Sequence, residues 1–555
     1  MRCEPIPVPD PLKPESFFKS WPWPLTETRD RRPTESRPPS PSRTEQEDAK
    51  EESNLRTKPT LNQLWLHQNL GKFPAKTHAR KVARELGVCA GMIYLPGQDE
   101  ILYEDSDMTF EFRQRRYFYY ITGADFPGCA ATYDIKRDYL ILWVPQFDPR
   151  TVLYHGRVPP PEQFLAASDV DDVRYISALD QFLLASLEPG SVLFALHPNQ
   201  VPRLENPNGP VCIDTTRLAP AIGRARVIKS DYEVAMIRRA NAVSSYAHRA
   251  VLRHLKRAHN ERVLEAVFVG FCTSEGARRQ AYPVIAASGI NASTLHYSNN
   301  NEPLAGRQLV VLDAGAEWKC YASDITRTFP VSGAFSAEAA AIYRIVERMQ
   351  AECIRRVRPG VAFASLHVLA CVIAAAGLLR LGILRGGTLE EIMRAGTVAA
   401  FFPHGLGHHV GLEVHDVSGG AGLLLPAAAI LDPKPKRREL TTPGTRCPPG
   451  RVPSPKRQAV TPEMVALLYT GAAWAQKPSA RESLEPNMVV TIEPGILFLH
   501  HPIHSKFINT AALEKYWDVG GVRIEDDILV TQDGYENLTL APKGEEMLKL
   551  IREGA

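Results

Sequence analysis

Apolar positions recur at helical spacing between Asp231 and Leu255, where Val234, Ile237, Ala240, Val243, Ala247 and Val251 make one stripe able to face a core. The same period predicts helices over Ala75 to Leu86, Glu261 to about Thr273, Ser336 to Arg358 and Ala364 to Gly382, with Pro359-Gly360 as a stop. Thr388 with Glu391 three residues on has the form of a capping box opening a further helix. Short apolar runs bounded by turn residues predict strands: GMIYLPG, FYYITG, YLILWVP and SVLFALHP in the first half, then AYPVIAASG, LVVLDAG, CYASDITRTF, MVVTIEPG and GVRIEDDILVT.

The arrangement of these elements separates two domains. Residues 60–215 alternate helix and strand and predict a smaller α/β domain around a buried mixed sheet. Residues 229–545 run helices then strands, twice over, an α+β pattern that points to internal duplication. The apolar stretch from Leu366 to Leu384 is interrupted by His367, Gly377, Arg380 and Gly382, and is expected to be a buried helix rather than a membrane span.

Two segments carry no period. Residues 1–58 are rich in Pro, Ser and charge, a composition that buries too little apolar surface to offset ordering entropy, so a disordered tail is expected. Residues 420–476 are Pro-rich and basic and are expected to be a long exposed insertion in the second domain. Over all 555 residues, 65 basic side chains nearly balance 62 acidic ones. That balance supports neither nucleic acid nor a membrane surface as partner. The nine scattered cysteines contain no CxxC pair, and no signal-peptide core opens the chain, so reduced thiols in a cytoplasmic protein are expected.

Candidate chemistry lies in the second domain. Asp313 and Asp324 flank the turn in LVVLDAGAEWKCYASDITRTF, and a simple hairpin would set them directly opposite each other, where two carboxylates repel unless a cation sits between them. Glu493 and Glu525 are lone acids in apolar strands, costly unless paired. Strand alternation puts Arg523, Glu525 and Asp527 on one face, so Arg523 could orient a metal-binding carboxylate. The run PHGLGHHVGLEVHD places His404, His408, His409 and His415 in a glycine-laced loop rather than on a helix of the HExxH type. One of these imidazoles as ligand, with others in acid–base or oxyanion roles, is the sharper expectation. Two Asp, two Glu and one His form an oxygen-dominated set suited to two divalent ions roughly 3.5–4 Å apart. Such donors favour manganese, with cobalt or zinc as alternatives.

DAGAEWKCYASDITRTFP, HGLGHHVGLEVHDV, VVTIEPG and VGGVRIEDDILVT together resemble the Xaa-Pro aminopeptidase and prolidase family. THARKVARELG, FYYITG and SDYEVAMIRRANAV extend the resemblance back into a creatinase-type N-terminal domain, and the whole looks closest to fungal-type members. The resemblance implies a C-terminal pita-bread catalytic domain, an antiparallel sheet with covering helices. It implies two divalent metal ions held by Asp313, Asp324, His408, Glu493 and Glu525, with Glu493 also acting as base or proton shuttle. His296, in STLHYSNNN, together with His404 and His415 would contact substrate, and Arg523 would stand behind the ligands. His409 has no counterpart. The implied activity is release of the first residue from peptides with a penultimate proline, and a homodimer is expected. A prolidase confined to Xaa-Pro dipeptides, and a non-catalytic binding module on the same fold, are the alternatives. Where the family shows a tyrosine four residues after the EPG glutamate, this chain has Leu497, and the His500, His501 and His504 that follow are expected to be loop residues.

Overall fold

A computed structural model describes residues 71–146, 152–153, 156, 158–202, 211–418, 423, 483–498 and 505–554. The tail at 1–58, nearly all of the insertion at 420–476, and His500, His501 and His504 lie outside the described residues.

The first domain is built on six strands: β1 (Met92–Pro96), β2 (Ala130–Asp134), β3 (Tyr139–Val144), β4 (Asp172–Tyr175), β5 (Val192–Phe194) and β6 (Cys212–Asp214). Their order is β4-β3-β2-β1-β5-β6, antiparallel through the β1–β2–β3 meander and parallel at both flanks. That is the mixed sheet the alternating elements predict. One face packs Met92, Tyr94, Ile141, Trp143, Leu183 and Leu193 into a core, and the Trp143 indole N–H is satisfied by Thr132 Oγ1 at 2.9 Å.

The run FYYITG is not a strand. It belongs to a helix, Arg116–Thr122, with Phe118, Tyr119, Tyr120 and Ile121 all buried. A short continuous apolar run has no period with which to separate a buried helix from a buried strand. The deciding residue is Gly123, left-handed at φ 68°, which ends the helix where a Cβ would come within 2.4 Å of the Phe73 ring.

The second domain repeats one unit. Helices Asp231–His254 and Glu261–Ser274 precede an antiparallel sheet of β8 (Ile285–Ser288), β9 (Leu309–Asp313) and β12 (Thr326–Pro330), with short β7 (Arg279–Gln280), β10 (Ala316–Trp318) and β11 (Tyr321–Ala322) beside it. Helices Ala337–Ile354 and Phe363–Arg380 then precede β13 (Val489–Ile492), β14 (Gly495–Leu497), β15 (Gly521–Arg523), β16 (Asp526–Val530) and β17 (Tyr535–Asn537). The first long helix starts at a capping box in which Ser230 and Glu233 satisfy each other's orphan amides, and its predicted stripe is buried along its whole length. Thr388 and Glu391 form the capping box the sequence predicts, whereas the one at Ser230 was not anticipated. Phe363–Arg380 is apolar and long enough to cross a membrane, yet it packs against Ala337–Ile354 with two thirds of its residues buried inside the protein.

Candidate metal centre

Each acidic candidate sits where a strand ladder is interrupted. Ile492 pairs with Asp526 and Gly495 with Arg523, so Glu493-Pro494 on one side and Ile524-Glu525 on the other drop out of the ladder as a matched break. Released from regular pairing, the two glutamates bring carboxylate oxygens within 4.8 Å of each other. On the other half, Asp313 ends β9 opposite Thr326, not opposite Asp324. The simple hairpin expected from the sequence is replaced by a loop containing β10 and β11. It folds back so tightly that a Cβ on Gly315 would lie 1.9 Å from the Ser323 carbonyl. Asp324 therefore precedes β12, its amide donating to Asp527 Oδ2 at 2.9 Å. Although β15 and β16 are separate strands, Arg523 reaches Asp313, Glu525 joins the donor groups and Asp527 Oδ2 accepts the Asp324 amide.

The histidine loop reaches this place by running beside β13. Glu493 N donates to the Leu406 carbonyl, Thr491 N to His408 and Val410 N to Val489, each at 2.8–3.0 Å. His408 N is fixed on Thr491 Oγ1 at 3.0 Å. Gly407 permits the approach, since a Cβ there would lie 2.1 Å from the Thr491 carbonyl. Gly407→Ala is therefore expected to cost about 1–3 kcal/mol of stability by thermal melting and to weaken metal retention by displacing His408. An unchanged melting temperature would mean that the loop does not pack on β13 in this way.

The donor atoms converge. Those of Asp313, Asp324 and Glu525 lie within 4.8 Å of one another, as do those of His408, Glu493 and Glu525. His408 Nε2 stands 3.4 Å from Asp324 and 3.5 Å from Glu493, while its Nδ1 is occupied by the His409 carbonyl at 3.0 Å. A ring nitrogen held from behind in this way leaves the other aimed at a ligand. Asp324, His408 and His415 form a third convergent group, and the His408 and His415 rings are 4.3 Å apart. His296 lies further out, 6.5 Å from the His415 ring. His404 is buried, its Nδ1 on the Gly405 carbonyl at 2.8 Å and its Nε2 without a protein partner. Arg523 Nη2 meets Asp313 Oδ2 at 2.5 Å. His409 pairs with Val490 and belongs to none of the donor groups. Leu497 is buried in β14, donating its amide to the Phe401 carbonyl and bringing no hydroxyl to the site.

Tyr282 was not singled out by the sequence. Its hydroxyl lies 2.6 Å from Asp313 Oδ1 and from Asp324 Oδ1, bridging the two aspartates. Only its position three residues ahead of β8 marks it, which is too little to identify it without coordinates.

Electrostatically the cluster holds too much negative charge for its dry surroundings. Burial, then Asp324, Glu493 and Asp313, pushes the Glu525 carboxyl well above its ordinary range. Burial together with the same aspartates raises Glu493 to about 7, against the relief given by His408 and Arg523. Burial opposes charge on His408, but Asp324 and Glu493 overcome it and raise that imidazole to about 9. Glu525 Oε1 is buried with no hydrogen-bond partner. A dry set of four carboxylates, one oriented imidazole and an unpaired carboxylate oxygen fits two hard divalent cations.

A family model described as metallopeptidase family M24 matches residues 235–532, and one described as aminopeptidase P, N-terminal domain, matches residues 76–194. A probable Xaa-Pro aminopeptidase of Chaetomium globosum is 56% identical over 526 residues, covering 89% of this chain and 86% of that one. A probable Xaa-Pro aminopeptidase of Sordaria macrospora is 53% identical, covering 89% and 88%. Among solved structures, aminopeptidase P from E. coli with the inhibitor Pro-Leu superposes with a TM-score of 0.68 at 25% identity, covering 87% of this chain and 99% of that one.

Proposed function

The chain belongs to metallopeptidase family M24, with an aminopeptidase P N-terminal domain ahead of the catalytic one, and on that premise we propose that it releases the N-terminal residue from peptides with proline in second position. The observation that carries this reading is the convergence of the donor atoms of Asp313, Asp324, His408, Glu493 and Glu525 from separate segments into overlapping groups that share Glu525.

Asp313, Asp324 and Glu525 would hold one divalent ion, and His408, Glu493 and Glu525 the other. Bound there, the ions supply Lewis-acid polarisation of the scissile carbonyl and an acidified water. Hard carboxylate donors favour manganese as the native metal. Glu493, a carboxylate of the second donor group, would also take and return a proton during hydrolysis. His404, kept neutral by burial at a pKa of about 3, donates Nδ1–H to Gly405 and so presents Nε2 as an acceptor for a substrate N–H. His415 and His296, their rings 6.5 Å apart at the outer edge of the cluster, would contact the substrate. Arg523 holds Asp313 in register. The prolyl nitrogen carries no hydrogen and its ring fixes φ, so the site must recognise the bond by shape rather than by an amide N–H.

Purified full-length chain loaded with manganese is expected to release the first residue from Xaa-Pro dipeptides and Xaa-Pro-Xaa tripeptides alike. Chelation should abolish the activity and manganese restore it. Turnover confined to the dipeptide would make the protein a prolidase, and no turnover with either metal-loaded substrate would leave a non-catalytic module.

A further inference from the structure

Asp416, next to His415 in sequence, is one of the most completely buried carboxylates in the protein, and two cations meet it. Arg226 Nη2 donates to its Oδ1, and Lys229 Nζ reaches Oδ2 at 3.2 Å. All three side chains are 2% exposed or less. Arg226 also lies over the Tyr117 ring, 5.1 Å from its centroid. Both cations belong to the connection between the two domains, at the end of helix Leu218–Val227 and just before the capping box at Ser230. A buried ion triad is poor evidence for stability, because desolvating three charges offsets most of the attraction between them. Its placement suggests another role.

The triad closes the histidine loop. Asp416 N donates to the His409 carbonyl at 2.9 Å, which fastens the segment that begins at His408 to the one that ends at His415. Gly411, midway, has no room for a side chain, since a Cβ would lie 2.2 Å from Asp416 Oδ2. On the other side of His415, Glu413 accepts from Arg113 at 3.1 Å and from Arg116 at 3.2 Å, both residues of the N-terminal domain. Arg116 also pairs with the buried Glu317 of β10. His415 is thus flanked by two acids, each held by basic side chains from outside the catalytic sheets.

We propose that Asp416, clamped by Arg226 and Lys229, is a positioning residue that sets the His415 imidazole against His408, so that the N-terminal domain and its linker take part in turnover through this loop. The inference rests on the peptidase reading above. It makes the first domain a determinant of catalytic geometry, acting through Glu413 and Asp416 without touching the reacting atoms.

The test uses manganese-loaded full-length chain and an Xaa-Pro tripeptide. Asp416→Asn is expected to lower kcat roughly 10- to 100-fold, as loss of a partner behind a site residue does, with KM and bound manganese little changed because His408 keeps its own anchor on Thr491. In a His415→Ala background, adding Asp416→Asn should cost nothing further. A merely structural role would instead lower both backgrounds equally. Lys229→Met, which leaves one buried cation facing one carboxylate, keeps the variant folded and should lower kcat in the same direction. Amide exchange over residues 409–416 should quicken in Asp416→Asn, a readout that needs no substrate. A wild-type chain inert toward every Xaa-Pro peptide would sink the peptidase reading. The positioning role fails separately, through unchanged loop exchange in Asp416→Asn or through full additivity with His415→Ala.

Discussion

Glu525→Gln is expected to lower kcat/KM for an Xaa-Pro peptide by about a thousandfold, which corresponds to the several kcal/mol that a divalent ion contributes to a hydrolytic transition state. The size follows from position. Glu525 belongs to both the Asp313–Asp324 and the His408–Glu493 donor groups, so one substitution weakens both ion sites. The fold should tolerate it. Glutamine keeps an acceptor for the Thr326 hydroxyl, which bonds Glu525 Oε2 at 2.7 Å, and replaces a carboxyl whose ionised form is disfavoured by burial and three neighbouring carboxylates. The metal-free variant should therefore melt at or above the metal-free wild type, while binding less manganese. Activity and metal-free stability move in opposite directions. A variant that retains turnover, or one that simply unfolds, would count against a shared ligand at this position.

Long helices were legible in the sequence because their signal is local. The stripe from Val234 to Val251 and the Thr388–Glu391 cap each lie within one segment and need no distant partner to be read. The four acidic donors were legible as residue types, since an acid in or beside an apolar strand is conspicuous wherever it falls, and His408 through its glycine-laced histidine run. Their geometry was not. The facing of Glu493 and Glu525 depends on a matched break between strands more than twenty residues apart along the chain, and the offset of Asp324 from Asp313 depends on a small hairpin inside their connection. FYYITG failed for a related reason, because four consecutive buried residues carry no period. Tyr282 and the Arg226–Asp416 pair were invisible, the latter joining residues 190 positions apart. Such contacts exist only once the chain is folded, and no spacing rule announces them.

Manganese is expected to raise the melting temperature little near pH 5 and progressively more as pH rises to about 9, relative to chelated protein. Glu493 sets the lower part of this window. Its carboxyl rises from an ordinary 4.5 to about 7 in the folded, metal-free chain, so the folded state binds more protons than the unfolded one between those values. For a raised acid, stability falls as pH climbs through that range, and the full penalty, on the order of 3 kcal/mol, is present above it. Glu525 and Asp324 shift in the same direction. His408 sets the upper part. Raised from 6.5 to about 9, it contributes stability that is complete below 6.5 and lost as pH passes 9. Both effects weaken the metal-free chain with rising pH, and both are relieved when cations replace the protons. His404 and His248, buried neutral at about 3, act oppositely, adding stability between pH 3 and 6.5. Neither belongs to a donor group, so their contribution cancels between loaded and chelated protein. Differential scanning calorimetry of the two forms across this range reads the difference directly. An equal gap at about pH 5 and about pH 8 would mean that the metal does not bind at these carboxylates. With Glu525→Gln the gap should shrink at every pH, because a donor common to both groups has been removed.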